Sequence, residues 1–298
     1  MTAIVIPITS RDQWLAERAK DVTSTEVAAL FGLSPYVTEF ELWHRKRDGV
    51  IEDHEPDERI RWGTRLQDAI AAGVAEDRKW HIRRIDEYMR DPSLRLGASF
   101  DFEAVDAELG RGLAEIKNVD RAEFYEKWAD LPSGLEAPQH IELQAQVQME
   151  VADAPWCAIV ALVGGNDARV TVRMRDREIG QHIRRRVEAF WQSIDAGIPP
   201  KPNYDQDAEF LCRLHGRADK GVEIEADAEL EQWLARYVAV GEIAKERDGL
   251  KARIFERTTA SRIKTTFGTF SCGEVAGSEG RKGFRQLRFT PNKTKAQP

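Results

Sequence analysis

The chain has few cysteines, and none of them is placed to hold a metal or a cluster. Its 298 residues include only Cys157, Cys212 and Cys272, which are far apart and form no CxxC pair. Zinc ribbons and iron–sulfur clusters need closely spaced cysteine ligands, so the sequence argues against both. Sparse, unpaired cysteines are typical of a reducing compartment, and we therefore expect the protein in the cytosol.

Long apolar runs, repeats and low-complexity tracts are also absent. No stretch approaches the roughly 18 apolar residues of a membrane helix, so we expect no membrane association. The N-terminal segment "MTAIVIPITSRDQW" has no basic leader and no small-residue cleavage site, which argues against a signal peptide. With 42% hydrophobic and 32% charged residues, the composition is that of an ordinary globular protein.

The charge is unevenly distributed along the chain. The formal net charge is −7, yet residues 251–298 contain eleven Lys and Arg against three Glu, a balance of +8. The remaining residues therefore carry −15. Local charge governs attraction to phosphates, and nucleases gather carboxylates to hold metal, so the acidic total does not exclude a nucleic-acid partner.

Hydrophobic periodicity predicts a mixed α/β core, a short sheet flanked by helices. The turn residues "LPSG" break the chain after a helix at 121–130, and Pro138 suits the first turn of the next helix. "WCAIVALVGG" is a continuous apolar strand, with "ARVTVRMR" as its hairpin partner. Other predicted helices begin at Ser10, at Thr23 or Ser24 with Gly32 as the stop, at Thr38, and at 57–77 and 176–196; other predicted strands lie at 80–89, 96–105 and 112–119.

Two regions follow from this pattern, with a boundary at the proline-rich segment "AGIPPKPNYD". Residues 1–200 are predicted to form the α/β domain and residues 201–298 a C-terminal module. In the module, apolar residues recur at helical spacing between about 226 and 256. That long helix is predicted as an arm, a coiled-coil segment or an element packed on the core. Two or three strands in a basic β element follow it.

The segment "ASFDFEAVDAELGRGLAEIK", residues 98–117, carries the strongest chemical pattern. Alternation along a strand places Asp101 on the face opposite its flanking phenylalanines, and it places Glu115 and Lys117 on one face. A hairpin centred on residue 108 would set Asp101 opposite Glu115, about 5 Å apart between Cβ atoms. Two such carboxylates suit Mg²⁺ or Mn²⁺, and Lys117 could orient an attacking water and help deprotonate it. A solvated hairpin with charged tips gives the same pattern.

Neighbouring segments of the sequence favour a nuclease site over a solvated hairpin with charged tips. "FD…EIK" resembles the short motif of PD-(D/E)xK nucleases, and three further segments accompany it in order: "TSTEVAALFGLSPYVTEFELW", "RWGTRLQDAI" and "QAQVQMEV". Together they resemble the YqaJ-type viral recombinases, relatives of the phage lambda exonuclease, over roughly residues 10–196. The resemblance implies a restriction-endonuclease-like core in residues 1–200, with the long helix and small β element of 201–298 appended.

The family resemblance assigns roles to the hairpin residues. It implies a 5′→3′ exonuclease that degrades one strand of duplex DNA from its ends, using two divalent ions, Mg²⁺ or Mn²⁺. Asp101 and Glu115 match the metal-binding carboxylates, the carbonyl of Ile116 a further ligand, and Lys117 the catalytic lysine. Gln144 matches a glutamine near the active site.

A 5′-phosphate pocket is also implied. Arg18 matches the family's arginine upstream of the "TSTEV" segment, and Thr25, with Ser24 beside it, matches a hydroxyl within that segment. Guanidinium and hydroxyl donors both bind phosphate, and a helix N-terminus at this place would reinforce them. Considered alone, Arg18 is an ordinary solvated helix charge.

One position departs from the family pattern. Relatives carry a metal-binding glutamate in "WGxxxE", whereas this chain has Gln67 there. A neutral amide is a weaker ligand and removes one negative charge, so we expect weaker binding of a second ion. Asp68 or Glu76 could substitute for the missing carboxylate.

Several functions remain open from the sequence. The leading one is an exonuclease that resects ends for phage or prophage recombination. Its implied partners are DNA ends, a single-strand annealing protein and further copies of the chain, by analogy in a trimeric ring. The alternatives are a single-strand or structure-specific nuclease on the same core, and a DNA-end-binding assembly protein whose active site is weakened at Gln67.

Overall fold

The computed structural model describes residues 3–51, 53, 55, 57–131, 134–217, 221, 223–275 and 284–292. The chain divides into two compact units, Met1–Arg217 and Ala218–Pro298. The helices within the described residues are α1 Arg11–Ala19, α2 Glu39–Arg47, α3 Glu58–Arg78, α4 Arg121–Lys127, α5 Gln139–Ala152, α6 Arg177–Asp195, α7 Ala208–Leu214 and α8 Ala228–Arg257. The strands are β1 Ile4–Pro7, β2 Val22–Thr23, β3 His81–Arg84, β4 Glu87–Asp91, β5 Leu96–Ala98, β6 Phe102–Asp106, β7 Gly110–Val119, β8 Ala129–Leu131, β9 Gly134–Glu136, β10 Trp156–Val163, β11 Asp167–Met174, β12 Arg262–Lys264, β13 Gly268–Val275 and β14 Phe284–Pro291.

A five-stranded mixed sheet is the centre of the first unit. Its strand order is β11-β10-β7-β6-β3, with β10 parallel to β7 and the other pairs antiparallel. Apolar residues of α3 pack on one face, against Ala114 and Ile116 of β7. Apolar residues of α5 and α6 belong to the core on the other face, with Leu113 and Ile159. The predicted mixed α/β core with flanking helices is confirmed, and β10, the predicted apolar strand, is buried on both faces.

A second, four-stranded sheet of order β1-β4-β5-β2 corrects two predictions. The predicted single strand at 80–89 is two strands, β3 in the five-stranded sheet and β4 in the four-stranded one. The predicted single strand at 96–105 is two strands in different sheets, because β5 pairs with β4 and β2 whereas β6 pairs with β3 and β7. The chain passes between the sheets at residues 99–101. Asp101 therefore lies at the start of a strand, where the backbone changes partners, and not inside one.

Helix starts follow the predicted capping residues in two places and differ in a third. The hydroxyls of Ser10 and Thr38 accept hydrogen bonds from the first turns of α1 and α2, as predicted. The predicted start of the next helix at Thr23 or Ser24 is wrong, whereas its predicted stop at Gly32 is confirmed. Thr23 pairs in β2, and the helix that follows is a short 3₁₀ helix, Val27–Phe31, which ends at Gly32 with a φ of 67°.

The connection between α4 and α5 contains a small hairpin that the periodicity did not predict. Strands β8 and β9 pair antiparallel, whereas Pro132 and Ser133 of the predicted break "LPSG" lie outside the described residues. Pro138 is the N-cap of α5, close to the predicted first-turn position.

The second unit contains α8 and a three-stranded sheet of order β12-β13-β14. The predicted long helix at about 226–256 is confirmed as α8, whose N-cap Asp227 accepts a hydrogen bond from the backbone of Leu230. None of its residues is buried. Residues 276–283 and 293–298 of the predicted β element lie outside the described residues. Among the described helices of both units, none is long and apolar enough to cross a membrane.

Candidate active site

The β6–β7 hairpin has the register that the sequence predicts. Phe102 pairs with Ala114, so Asp101, one residue earlier, is in register with Glu115. The backbone N–H of Ile116 donates a 2.8 Å hydrogen bond to Oδ2 of Asp101 and so fixes this carboxyl at the strand edge. Ile116 itself is buried, as predicted. The hairpin thus brings the two predicted metal-binding carboxylates together.

Three side-chain donors converge on the carboxylate of Glu115, which is buried. Lys117 Nζ lies 2.6 Å and Gln144 Nε2 lies 2.7 Å from Oε1, and Gln148 Nε2 lies 2.7 Å from Oε2. Lys117 also donates to Oε1 of Gln144 at 3.1 Å. A buried carboxylate is stable when its oxygens are satisfied in this way. The network fixes the rotamers of Glu115 and Lys117 and is the opposite of a solvated hairpin tip.

Helix α5 supplies the two glutamines from one of its faces. Gln144 and Gln148 are four residues apart and therefore lie one above the other. Gln146 points elsewhere, because its amide donates to the carbonyl of Met174 and accepts from the N–H of Asp176. The placement of Gln144 beside the predicted catalytic residues agrees with the prediction. Gln148 was missed, although the four-residue spacing from Gln144 was the signal that could have found it.

Gln67 reaches the site from α3. Its Nε2 donates a 3.0 Å hydrogen bond to Oδ1 of Asp101. Asp68 is rotated about 100° around the helix and forms a 2.7 Å ion pair with Arg84, with 71% of its side chain exposed. Glu76 is exposed two and a half turns further along α3. Neither carboxylate replaces the one that Gln67 lacks.

The electrostatics of the site are dominated by two carboxylates, Glu115, which is buried, and Asp101, which is half-buried. Burial and the nearby charge of Glu115 raise the pKa of Asp101 to about 7. Burial works to lower the pKa of Lys117, but the charges of Glu115 and Asp101 outweigh it and hold that pKa above its ordinary value. Lys117 is therefore an ammonium ion at neutral pH, and the site lacks enough positive charge to ionise both carboxyls fully.

The donor set fits a hard divalent cation. Mg²⁺ is commonly held by one or two carboxylates while keeping several waters, and Asp101 and Glu115 are such a pair. A cation between them would remove the repulsion that raises the pKa of Asp101. Among the described residues, no group of three or more His, Cys, Asp or Glu side chains could hold a metal. Asp101 and Glu115 account for one ion, and the carbonyl of Ile116 stays a predicted ligand.

A second charged feature surrounds Arg18. Its guanidinium donates a 3.1 Å hydrogen bond to Oγ1 of Thr25 and lies over the ring of Trp14, 4.5 Å from the centroid. The open cavity beside it has a volume of about 280 Å³ and is lined by residues that include Trp14, Arg18 and Lys46. Thr25 is exposed, whereas Ser24 is 2% exposed. The fold thus brings Arg18 and Thr25 together and turns Ser24 into the interior.

Lys46 and Glu26 form the charged contacts around Arg18. Lys46 Nζ donates to the backbone carbonyl of Arg18 at 3.1 Å and pairs with Glu26 at 2.8 Å. Burial works to raise the pKa of Glu26, but Lys46 and Arg18 overcome it and hold that pKa below its ordinary value. With Glu26 ionised, the pair of cations leaves one net positive charge for an anion in the cavity.

Ser99 connects this cavity to the carboxylates. Trp14 Nε1 donates to Oγ of Ser99 at 2.8 Å, and Gln148 Nε2 donates to the Ser99 carbonyl at 3.0 Å as well as to Glu115. Ser99 lies in the segment that passes between the two sheets. Sequence reasoning missed it, because its position depends on the strand break that the periodicity did not reveal.

Fold and site together define an α/β protein with the residue arrangement of the PD-(D/E)xK motif, Asp101 followed by Glu115 and Lys117. Residues 13–155 match the model of the YqaJ-like viral recombinase domain, so this part of the chain is similar to that family. The family resemblance predicted from the sequence is confirmed. The uncharacterized protein YqaJ of Bacillus subtilis (strain 168) is 24% identical over 243 residues, which cover 80% of this chain and 73% of that protein.

Solved structures with a similar fold include two exonucleases. An alkaline exonuclease (LHK-Exo) from Laribacter hongkongensis aligns with a TM-score of 0.49 and 20% identity, covering 68% of this chain and 99% of its own. A phage-related exonuclease from Haemophilus somnus 129PT aligns with a TM-score of 0.41 and 13% identity, covering 59% of this chain and 94% of its own. Likenesses of this strength carry no functional information by themselves.

Proposed function

We propose that this protein is a metal-dependent 5′→3′ exonuclease. It would degrade one strand of linear duplex DNA from its ends and leave 3′ single strands for phage or prophage recombination. The observation that carries the proposal is the convergence of Asp101, Glu115 and Lys117, with a 2.6 Å contact between Lys117 Nζ and Glu115. The match of residues 13–155 to the model of the YqaJ-like viral recombinase domain supports it.

The chain's own residues would perform three tasks at the scissile phosphate. Asp101 and Glu115 would hold the divalent ion, Mg²⁺ or Mn²⁺, and Gln144 and Gln148 would keep Glu115 in place. When bound, the ion supplies an activated water and neutralises charge that develops on the phosphate. Lys117, an ammonium ion in this network, would donate hydrogen bonds to the attacking water or to a phosphate oxygen. A role for Lys117 as the base requires that its pairing with Glu115 first weaken.

The cavity beside Arg18 would bind the 5′-phosphate. Arg18 and Thr25 supply a charged and a neutral donor within 3.1 Å of each other, and the cavity is open to solvent. A terminal phosphate held there would fix the strand end relative to Glu115 through the contacts of Ser99. This arrangement would give the enzyme its preference for a phosphorylated 5′ end and its polarity.

Partners and cofactors follow from the same proposal. We propose two divalent ions, with the second bound more weakly because Gln67 replaces a carboxylate. Resection exposes single strands, so a single-strand annealing protein is the expected partner, and the chain is expected to form a homo-oligomer, with a trimeric ring as one form. The expected location is the cytosol.

A second candidate is a DNA-end-binding assembly protein with a weakened active site. Gln67 favours it, because this amide donates a hydrogen bond to Asp101 where a third carboxylate would complete a metal site. The intact cluster of Asp101, Glu115 and Lys117 opposes it.

The test uses linear duplex DNA labelled at the 3′ end of one strand, with either a 5′-phosphate or a 5′-hydroxyl on that strand. We expect shortening from the 5′ end in Mg²⁺ or Mn²⁺, none in EDTA, and faster shortening with the 5′-phosphate. Lys117→Ala abolishes it, whereas Lys245→Ala, an exposed lysine of the second unit, is the control and leaves it unchanged. Tight, metal-independent binding without shortening would instead favour the end-binding protein.

A further inference from the structure

An exposed tyrosine lies beside the candidate catalytic lysine. Tyr36 stands in the loop before α2 with 79% of its surface exposed. A large side chain with so little contact gains little from folding, so packing does not explain its position. Tyr36 nevertheless contacts the active-site helix, because its ring packs against His140, one turn of α5 before Gln144, whose Oε1 accepts a hydrogen bond from Lys117 Nζ.

The backbone and one neighbouring ring hold Tyr36 in place. The hydroxyl of Ser34 accepts hydrogen bonds from the N–H groups of Tyr36 and Val37, both at 3.2 Å, which fixes the turn. The ring of Tyr36 meets that of His140 edge to face, with 5.8 Å between centroids and 87° between planes. The ring is therefore oriented although most of its surface faces solvent.

His140 belongs to the face of α5 that carries the active-site glutamines. His140, Gln144 and Gln148 follow one another at four-residue spacing, so they form a line along the helix. That line runs from Tyr36 at one end to the carboxylate of Glu115, which both glutamines contact. His140 also lies near Lys117, whose charge, after burial, lowers its pKa. Tyr36 therefore contacts the same helix, α5, that positions Glu115 through Gln144 and Gln148.

We propose that Tyr36 is a substrate-positioning residue that stacks on the nucleobase at the 5′ terminus of the strand being cut. This inference rests on the proposed function. Stacking on an aromatic ring suits an enzyme without sequence preference, since every base has a π-face. A ring fixed by His140 would hold the terminal nucleotide over Lys117 while the Arg18 cavity holds its phosphate. His140 acts through Tyr36 and so is also a positioning residue.

The test removes the ring of Tyr36 and the base of the 5′-terminal nucleotide in separate experiments. Duplexes with a 5′-phosphate carry either a normal or an abasic terminal nucleotide, and initial rates give KM and kcat. In the wild type we expect KM to be about tenfold higher for the abasic duplex, the scale of one base–aromatic stack. Tyr36→Ala should raise KM for the normal duplex to a similar extent, with little change in kcat, and should lose the discrimination. Tyr36→Phe should keep it.

Two further variants make the outcome decisive. Tyr204→Ala removes another tyrosine, 66% exposed in the segment between α6 and α7, and should behave as the wild type. Tyr36→Leu keeps an apolar side chain without a π-face and replaces Tyr36→Ala should that variant fail to fold. Equal discrimination in wild type and Tyr36→Leu would overturn the role of Tyr36 and leave the exonuclease standing. Absence of metal-dependent shortening in the wild type would overturn the exonuclease itself.

Discussion

The carboxylate cluster and the Arg18 cavity are both charged, but the fold holds them differently. Asp101 and Glu115 are surrounded by donors from α3, α5 and β7, and their mutual repulsion remains. Arg18 and Thr25 contact each other at the edge of an open cavity. The first site is crowded and short of positive charge, whereas the second has positive charge and room for an anion.

This difference indicates complementary ligands. A site with surplus negative charge is stabilised by a cation, and one with surplus positive charge by a phosphate. Ser99 lies between them and contacts Trp14 on one side and Gln148 on the other. Under the proposed function, the 5′-terminal phosphate would occupy the Arg18 cavity, and a metal-bound phosphate of the same strand would lie at the carboxylates.

The largest expected effect is on the carboxylate cluster. Glu115→Gln removes the charge on which Lys117, Gln144 and Gln148 converge, so metal binding and the position of Lys117 are both lost. We expect cleavage of 5′-phosphorylated duplex to fall about 10³-fold or more. Glu103→Gln, on the same hairpin but paired with exposed arginines, is the matched control. Initial rates on end-labelled DNA measure both variants. Comparable activity of Glu115→Gln and Glu103→Gln would show that the carboxylate cluster is not the site of cleavage.

The next effect is on stability and its pH dependence. The pKa of an unfolded aspartate is about 3.9, whereas that of Asp101 in the fold is raised to about 7. The folded state binds more protons between these values, so stability falls as the pH rises from about 4 to 7. Asp101→Asn removes this loss and should raise the free energy of unfolding at pH 8 by about 2 to 4 kcal/mol in EDTA.

Urea unfolding at pH 4 and pH 8 measures this change. At pH 4 the variant and the wild type should differ by only about 0.5 kcal/mol, because Asp101 is protonated in the fold and about half ionised in the unfolded chain. Asp106→Asn, at the turn of the same hairpin, should give no gain at pH 8. Its carboxylate accepts backbone hydrogen bonds from Leu109 and Glu108 that lower its pKa. A destabilised Asp101→Asn protein at pH 8 would show that repulsion does not dominate the cluster.

A smaller effect is expected at the Arg18 cavity. Arg18→Ala removes one charge-assisted hydrogen bond to the terminal phosphate, so kcat/KM on 5′-phosphorylated ends should fall about 10- to 100-fold. Activity on 5′-hydroxyl ends should change little, which distinguishes this site from the carboxylate cluster. Arg18→Lys should retain part of the preference. An equal loss on both kinds of end would mean that Arg18 serves folding or general DNA binding.

The smallest expected effect is at Gln67. Gln67→Glu adds the carboxylate that relatives carry beside Asp101, and we expect the Mg²⁺ concentration for half-maximal cleavage to fall about tenfold. The same variant should be less stable in EDTA, because it adds a third negative charge to a buried pair. An unchanged Mg²⁺ requirement would show that Gln67 does not limit metal binding.

Local rules predicted much of the hairpin, and long-range contacts determined the rest. The register of Asp101 with Glu115 followed from the polar turn around residue 108 and the two-residue period of strands. The same rule misplaced Asp101 inside a strand, because the change of sheets at residues 99–101 depends on pairing with distant strands. The cap of the segment after β2 was wrong for a similar reason, since Thr23 pairs with β5.

Side-chain partners show the same limit. Gln144 was chosen through the family resemblance, and Gln148 follows from helical spacing alone. By contrast, the hydrogen bond from Gln67 to Asp101 and the link from Trp14 through Ser99 join residues far apart in sequence. No local periodicity contains that information. For α8, too, the apolar spacing predicted the helix itself and not the partners of its side chains.

Calorimetric titration of Mn²⁺ into the wild type and Glu115→Gln tests the central claim most directly. We predict specific binding to the wild type that tightens as the pH rises towards and through 7, because Asp101 must lose its proton to bind the ion. The variant should not show that binding. Identical binding isotherms for the two proteins, or no binding to the wild type at pH 8, would contradict a metal site at Asp101 and Glu115.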